Sequence, residues 1–407
     1  MLETLFNTAT TRSRAAALLR WARAGQSKHF TVNDDALPSV ATLVAQTTRS
    51  RYPNLKIPYH SRWRHFEVGG VDRRAWLNEM QPGASADAVT LIDLAVVSVL
   101  LDAGAGANWQ YKEARTDQVL TRSEGLGVAS FHAFCSGLFS SDASQPLRVD
   151  AVGLQRLSTM QLVAAFQVTD SNPLIGLDGR VNLLRRLGQA LAEQPDVFGT
   201  TLPRVGNLYA FMTLDGKKSG QSAIQSITAH DLLALLLKTL SRIWPSGSVF
   251  DTQAIGDCWP HEALGKSNTE QGWIPFHKLS QWLTYSLLEP FEWCGIKVTG
   301  FDRLTGLPEY RNGGLLLDGG VLSLKNPEME KVSHHPSEEF IVEWRALTVA
   351  LLDELAPLVR MQLSLSAAQM PLACVLEGGT WAAGRELAQR LRGGLPPFPI
   401  DSDGTIF

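Results

Sequence analysis

The chain has 407 residues, of which 44% are hydrophobic and 19% are charged, and its formal net charge at pH 7 is -3. This is an ordinary composition for a folded globular protein, and the length allows a core large enough to need no covalent crosslinks. The small net charge gives no support to nucleic acid binding, and the absence of any run of 18 apolar residues argues against a membrane span.

The N-terminal segment, residues 1–25, has the pattern of an amphipathic helix. It carries Glu3 and lacks the apolar stretch of a secretory signal. A mitochondrial presequence would also be amphipathic and arginine-rich, and it is the minor alternative. The cysteines lack CxxC spacing, which favours reduced thiols in the cytoplasm over disulfides or a structural zinc site; they are Cys135, Cys258, Cys294 and Cys374.

Long helices dominate the predicted elements. Apolar residues recur three and four positions apart over 88–104, 221–244, 276–291 and 337–363, which is typical of helices that bury one face. The clearest strand signal is GGLLLDGGVLSLK (313–325), where two apolar runs flank Asp-Gly-Gly and predict a β-hairpin. A weaker possibility for strands is 55–70.

These elements predict a mainly α protein with a small β-hairpin element and no alternation of strands and helices. No internal repeat or low-complexity linker occurs. We therefore expect one compact unit over 1–407, with the most plausible internal boundary near 140–150 and a second choice at 171–180.

The first polar cluster follows the predicted helix 88–104. Asp102 lies in its last turn, where a carboxylate is unfavourable beside the negative end of the helix dipole unless another group pairs with it. A functional and a structural role for Asp102 both remain open. The adjacent glycine-rich turn lacks the Walker lysine and the dinucleotide spacing, and Trp109 follows it closely.

A second cluster, GDCWPH (256–261), places Asp257, Cys258, Trp259 and His261 in a short segment. One cysteine and one histidine three residues apart, without a second pair, are a weak signal for metal. Packing of the loop or a substrate contact from Trp259 is the favoured interpretation.

The segment PFHKLSQW (275–282) carries polar residues within an otherwise apolar helix. Gln281 shares a helical face with both His277 and Lys278, and aromatic residues flank this stripe. A solvated face is the usual explanation, but the composition fits the wall of a binding pocket better. We therefore expect this helix to line a nucleoside-sized pocket.

Two further segments carry acidic and basic residues close together. The turn TGLPEYRNGG (305–314) contains Glu309, Tyr310 and Arg311, which turn chemistry does not require. EGGTWAAGRELAQR (377–390) contains Glu377 and Arg385, and there a helix start with a solvated face is the better interpretation.

The chain resembles the uracil-catabolism family of fungi and bacteria, the product of the fourth gene of the yeast URC route, long carried as a domain of unknown function. The motifs that carry the resemblance extend over almost the full length; they are LLDAGAGANWQY, SEGLGVASFHAF, SNPLIGLDGR, GDCWPH, PFHKLSQWLTYSLLEP, TGLPEYRNGG and VEWRALTVALLD. Membership implies a role in uracil breakdown. In that route a ribosylurea-type intermediate must yield urea, and a step that cuts the N-glycosidic bond is missing.

A fainter resemblance joins PFHKLSQW and LPEYR to the FYKRAQ and DYRVPQ motifs of queuosine salvage N-glycosylases, helical proteins related in fold to DNA glycosylases. On this comparison Lys278 and Gln281 match the lysine and glutamine, and Glu309, Tyr310 and Arg311 match the Asp-Tyr-Arg. Glutamate replaces aspartate here, which leaves its role open. The resemblance implies a DNA-glycosylase-like helical fold.

The function that these resemblances imply is hydrolysis of the N-glycosidic bond of a ribosylurea-type nucleoside or nucleotide. The oxocarbenium-like transition state requires a carboxylate; Glu309 is the first candidate, followed by Asp102 and Asp257. His277 or Lys278 could protonate the leaving group. Lys278 and Arg311 could bind a phosphate, and aromatic side chains could stack on a planar group; those are Trp109, Trp259 and Trp282.

Two alternatives belong to other classes. One is metal-assisted hydrolysis of a ureido or amide bond, for which Cys258 and His261 would be the residues to inspect. The other is a noncatalytic protein that binds a pyrimidine intermediate. We expect a small-molecule ligand and no cofactor, nucleic acid or membrane partner, and the sequence does not indicate an oligomeric state.

Overall fold

A computed structural model describes residues 2–81, 86–106, 108–214, 225–244 and 247–401. Helices form most of the fold. In chain order, α1 to α17 are Thr8–Arg23, Leu37–Arg51, Trp63–Phe66, Arg73–Glu79, Ala88–Leu100, Arg122–Cys135, Ala151–Arg156, Thr159–Ala165, Leu177–Ala192, Pro195–Phe198, Leu208–Leu214, Ala229–Leu240, Lys278–Trp293, Tyr310–Asp318, Glu339–Leu363, Leu372–Val375 and Trp381–Arg392.

The strands are short and form two-stranded sheets. In chain order, β1 to β10 are Phe30–Val32, Gln110–Lys112, Val119–Thr121, Ser226–Thr228, Ser248–Phe250, Gln253–Gly256, Cys258–Pro260, Trp273–Pro275, Lys297–Thr299 and Leu322–Leu324. The pairs β1–β10, β2–β3, β5–β6 and β7–β8 are antiparallel, whereas β4 and β9 run parallel. The prediction of a mainly α fold with small β elements is confirmed.

The periodic segments correspond to long helices. The patterns at 88–104, 276–291 and 337–363 are α5, α13 and α15. Within 221–244 the helix is α12, and residues 221–224 lie outside the described part of the chain. The amphipathic N-terminal segment forms α1.

The predicted hairpin at 313–325 is wrong. Residues 310–318 form α14, and β10 pairs with the distant strand β1 instead of with its neighbour in sequence. Glu309 begins the helix by accepting hydrogen bonds from the main-chain N–H groups of Arg311 and Asn312, so the apolar run winds into a helix that buries Leu315 and Leu316. The weaker strand signal at 55–70 is also wrong, because its regular element is α3.

Helix α15 passes through the main core, which contains buried apolar residues from Ala15 to Phe398. It packs against α1 and α2, while α13 packs against α5 and α12, and α14 packs against α17. The N-terminal ends of α6, α13 and α14 line a shared cavity. In the described residues, every helix is too short or too polar to cross a membrane.

Candidate functional site

The candidate site is a cavity of about 390 Å³. Six parts of the chain contribute its wall: the turn around α3, the loop after α5, the starts of α6, α13 and α14, and the C-terminal region. Residues from these parts lie at 60–65, 102–106, 122–123, 278–282, 307–311 and 381–396. The site therefore exists only when distant segments of the chain have packed together.

Three helices begin at the cavity wall. Arg122 is the first residue of α6, Lys278 of α13 and Tyr310 of α14, and all three line the cavity. The N-terminal end of a helix carries partial positive charge from its aligned peptide dipoles. Together with the two cationic side chains, these ends favour a ligand with negative charge, either permanent or formed during a reaction.

Glu309 is the carboxylate at the start of α14. Its two oxygens accept main-chain hydrogen bonds at 2.7 Å from Arg311 and from Asn312, which fix the orientation of the side chain. Burial raises the pKa of Glu309 above its ordinary value, although these N–H groups and the charge of Lys278 oppose that effect. The result is an oriented carboxyl group whose proton affinity is higher than in water, as an acid or base catalyst requires.

Lys278 is held at the cavity by its position in α13. Its main-chain N–H donates to Asp257 at 3.0 Å, and its side chain lines the cavity with Glu309. Burial lowers the pKa of the Lys278 ammonium group, and the positive charge of Arg345 adds to the effect. Within the described part of the chain the ammonium group makes no ion pair, so it is available to a ligand.

Asp102 pairs with a buried arginine. Its Oδ1 lies 2.9 Å from Nη1 of Arg62, a side chain with no exposed surface that also donates to Ser98. Burial raises the pKa of Asp102, while Arg62 acts in the opposite direction. The predicted need for a partner at the end of α5 is thus met, and the carboxylate remains part of the cavity wall.

The aromatic and guanidinium groups form another part of the wall. Trp282 is 8% exposed, and its ring lies 5.9 Å from that of His65, centroid to centroid. The Arg311 guanidinium stands 4.6 Å from the Tyr310 ring centroid and donates to the Gly394 carbonyl at 3.3 Å. These contacts hold Arg311 against the wall, so its charge contributes to the site from a fixed position.

Asp257 and Trp259 lie outside the cavity lining. Asp257 accepts two hydrogen bonds at 2.7 Å from Arg345 and one, also at 2.7 Å, from Trp259 Nε1. Burial acts to raise the pKa of Asp257, but these partners outweigh it and the pKa is lowered. Asp257 therefore holds the start of α13 in place by accepting a hydrogen bond from the Lys278 main-chain N–H, and Trp259 donates a hydrogen bond to the same carboxylate.

The remaining predicted residues also face other partners. The His277 ring stacks on Phe6 and its Nε2 lies 2.6 Å from the Leu5 carbonyl. Gln281 exchanges hydrogen bonds with Thr305, and Trp109 donates to the Phe166 carbonyl at 3.0 Å. Of the three polar residues predicted to line the pocket, only Lys278 lines the cavity. His277 and Gln281 instead form hydrogen bonds that hold α13 against neighbouring segments.

The cysteine and histidine of GDCWPH do not converge. Cys258 Sγ donates to the Ile255 carbonyl at 3.1 Å, whereas His261 Nε2 lies 3.5 Å from Glu343. Across the described residues, no group of three or more histidine, cysteine or acidic side chains is close enough to hold a metal ion. This segment contributes to packing near α1 and α15.

The sequence interpretation did not propose His60, His65, Arg122 or Trp381 as site residues, although all four line the cavity. His60 is in an irregular segment with no motif, and Trp381 is in a segment interpreted as a solvated helix start. That interpretation of 377–390 is wrong for Glu377, which is 6% exposed and bonded to His60. Arg122 has a positive φ of 54°, an uncommon backbone conformation that a sequence pattern does not reveal.

The chain is similar to known proteins over nearly its whole length. The family model described as "Protein of unknown function (DUF1688)" matches residues 4–407, a range that includes every segment of the cavity wall. The chain is 40% identical over 407 residues to "Protein urg3" of Schizosaccharomyces pombe, covering 97% of this chain and 96% of that protein. It is 37% identical over 416 residues to "Uracil catabolism protein 4" of Lachancea kluyveri, covering 94% and 93%.

Proposed function

The chain belongs to the DUF1688 family, and from this membership and its cavity we propose that it acts in uracil catabolism. We propose further that it hydrolyses the N-glycosidic bond of a ribosylurea-type nucleoside or nucleotide, releasing urea and ribose or ribose phosphate. The observation that carries this proposal is the meeting of an oriented carboxyl group, Glu309, with the ammonium group of Lys278 in one cavity.

The size of the cavity supports a small-molecule substrate. Its volume of about 390 Å³ falls within the range of roughly 300–1,000 Å³ that small-molecule sites occupy. Trp282 and Trp381 supply apolar lining, on which a planar ureido group or a ribose face can pack. Lys278 and Arg122 supply positive charge for a phosphate, if the nucleotide is the substrate.

The carboxylate of Glu309 fits the requirements of the reaction. Cleavage of a ribosyl C–N bond builds positive charge at C1′, and a nearby carboxylate stabilises that charge. The same carboxylate can accept the proton of the attacking water. Because two main-chain N–H groups hold its oxygens, little reorganisation is needed when the charge develops.

The test is an assay of the purified protein with ribosylurea and, separately, with its 5′-phosphate, in which released urea and free reducing sugar are both measured. Glu309→Gln removes the negative charge, and we expect kcat to fall by about 10²- to 10⁴-fold. Glu309→Ser removes the carboxylate but keeps a residue that caps helices well, so equal losses in both variants assign the effect to the carboxylate.

The control is Glu328→Gln, an exposed glutamate in a surface pair with Lys331, which should leave turnover unchanged. Normal turnover in a folded Glu309→Gln protein would refute the catalytic assignment. Binding of both compounds without any product would favour a noncatalytic role, and activity that disappears on chelation would favour metal-assisted ureido hydrolysis.

A further inference from the structure

His60 lies on the cavity wall in a position fixed from two directions. Its main-chain N–H donates to the Ala373 carbonyl at 3.0 Å, and its ring Nδ1 lies 2.9 Å from Oε2 of Glu377. The residue is 9% exposed, and its ring centroid is 6.2 Å from that of Trp381, another residue of the lining. An imidazole is therefore presented to the cavity with one nitrogen already engaged.

Glu377 is well suited to hold that imidazole. Its other oxygen, Oε1, accepts hydrogen bonds from Arg51 at 2.8 Å and from the Tyr52 hydroxyl at 2.9 Å. Burial acts to raise the pKa of Glu377, but His60 and Arg51 outweigh it and the pKa is lowered. The carboxylate is consequently ionised at neutral pH and accepts the hydrogen bond that orients the imidazole beside it.

The backbone that carries Glu377 is an uncommon structure. Residues Leu376–Thr380 form a π-helical turn between α16 and α17, and such turns occur frequently at functional sites. A Cβ atom at Gly379 would stand 2.5 Å from the Val44 carbonyl oxygen, so the turn lies directly against α2. This close contact fixes the turn relative to α2, whose last residue, Arg51, donates a hydrogen bond to Glu377.

The free nitrogen of the ring faces a different environment. Because Nδ1 is bound to Glu377, the second nitrogen, Nε2, is the one available for proton transfer. It makes no hydrogen bond with any residue that the structure describes, and it keeps some accessible surface. This arrangement, a carboxylate, an imidazole and an open nitrogen at a cavity, is that of an oriented acid–base catalyst.

We propose that His60 is the general acid that protonates the leaving group, and that Glu377 is its positioning residue. The inference rests on the proposed function. In the step, the C1′–N bond breaks, its electron pair remains on the ureido nitrogen, and that nitrogen takes the proton from Nε2 of His60. Water adds its oxygen to C1′ and gives a proton to Glu309. The products are urea and the free sugar, and a proton returns through solvent from Glu309 to His60.

The other basic groups of the cavity are less suited to this role. Burial lowers the pKa of His65 well below its ordinary value, and the charge of Arg62 adds to the effect, so His65 is neutral. Lys278 carries the charge that favours ionised Glu309. The titratable groups that interact with His60 are Glu377, His65 and Glu309, and Arg51 and Tyr52 bond to its partner Glu377.

The test compares two leaving groups. Ribosylurea needs protonation of its leaving group, whereas 4-nitrophenyl β-ribofuranoside releases a stable phenolate without it. We expect His60→Gln to lower kcat on ribosylurea, or on its phosphate, by about 10²- to 10⁴-fold and to leave hydrolysis of the aryl riboside nearly unchanged. His335→Gln, at an exposed histidine, is the matched control and should behave as wild type.

The pH profile tests the same assignment without the aryl substrate. For wild type, kcat on ribosylurea should fall as pH rises and the imidazole loses its proton, and this alkaline limb should be absent from His60→Gln. In Glu377→Gln, kcat on ribosylurea should fall while KM changes little, because the imidazole loses the carboxylate that orients it; a merely structural role would change both.

The outcomes separate the inference from the proposed function. Wild-type rates in His60→Gln, or equal losses on both substrates with an unchanged alkaline limb, would overturn the assignment of His60 while leaving glycosidic hydrolysis intact. A wild-type protein that releases no urea would remove the proposed function and this inference together.

Discussion

Glu113 gives a quantitative prediction about stability. It follows β2, and its side chain has no exposed surface. Arg73 donates to its two oxygens at 2.7 and 2.5 Å, Thr116 donates at 2.6 Å, and His132 Nε2 lies at 2.7 Å. Burial acts to raise the pKa of Glu113, but these partners outweigh it and lower the pKa from 4.5 to about 2.

The magnitude follows from proton linkage. A carboxyl group whose pKa is depressed in the folded state stabilises the fold above its unfolded pKa of 4.5, and this contribution disappears as the pH falls towards 2. The difference between the two pKa values corresponds to about 3 kcal/mol. We therefore expect Glu113→Gln, which cannot ionise, to lower the free energy of unfolding at pH 7 by at least that order.

The assay is urea unfolding followed by tryptophan fluorescence, at several pH values from 7 down to 3. The difference in stability between wild type and Glu113→Gln should be largest at pH 7 and should shrink below pH 4.5. Glu79→Gln is the control, because Glu79 forms an exposed pair with Arg115, and its unfolding should match that of wild type. A difference that stays constant with pH would refute the reasoning.

Two further predictions concern packing. Asp257→Asn removes the carboxylate that pairs with the buried Arg345 side chain, and it should lower the free energy of unfolding by about 3–5 kcal/mol. An unchanged midpoint of urea unfolding would contradict the structural role given to this pair. Gly153→Ala would bring a Cβ atom within 2.2 Å of the Phe139 carbonyl oxygen and should destabilise the protein by about 1–3 kcal/mol. Its matched control is Gly179→Ala, where the added Cβ meets no atom within 4 Å. The higher helix propensity of alanine should raise the free energy of unfolding of this variant by about 0.5–1 kcal/mol. Thermal unfolding measures both variants, and a stabilised Gly153→Ala or a destabilised Gly179→Ala would contradict the prediction.

The sequence was most informative where local physics determines structure. The long amphipathic patterns predicted α5, α13 and α15, because a helix that buries one face has apolar residues three and four positions apart in its sequence. The segment 313–325 misled because a short apolar run around Asp-Gly-Gly fits a hairpin and a helix end equally well. The choice is made by Glu309 capping α14 and by β1, which is remote in sequence.

The site was predictable only in part for the same reason. Glu309, Tyr310 and Arg311, which are adjacent in sequence, all line the cavity, and Asp102 has the partner that the dipole argument required. Which residue pairs with which is decided by the tertiary fold. The bond between His60 and Glu377 spans 317 positions, and no local pattern encodes it.

The wall of the cavity, which combines segments from His60 to Pro396, also makes ligand binding measurable through folding. Since these segments meet only in the native chain, a molecule that fills the cavity binds the folded state and has no matching site on the unfolded one. At a free concentration 100 times its dissociation constant, such a molecule adds about 2.7 kcal/mol to the free energy of unfolding. A melting-temperature screen of nucleosides, ureides and sugar phosphates can therefore identify the natural ligand before any reaction is assayed.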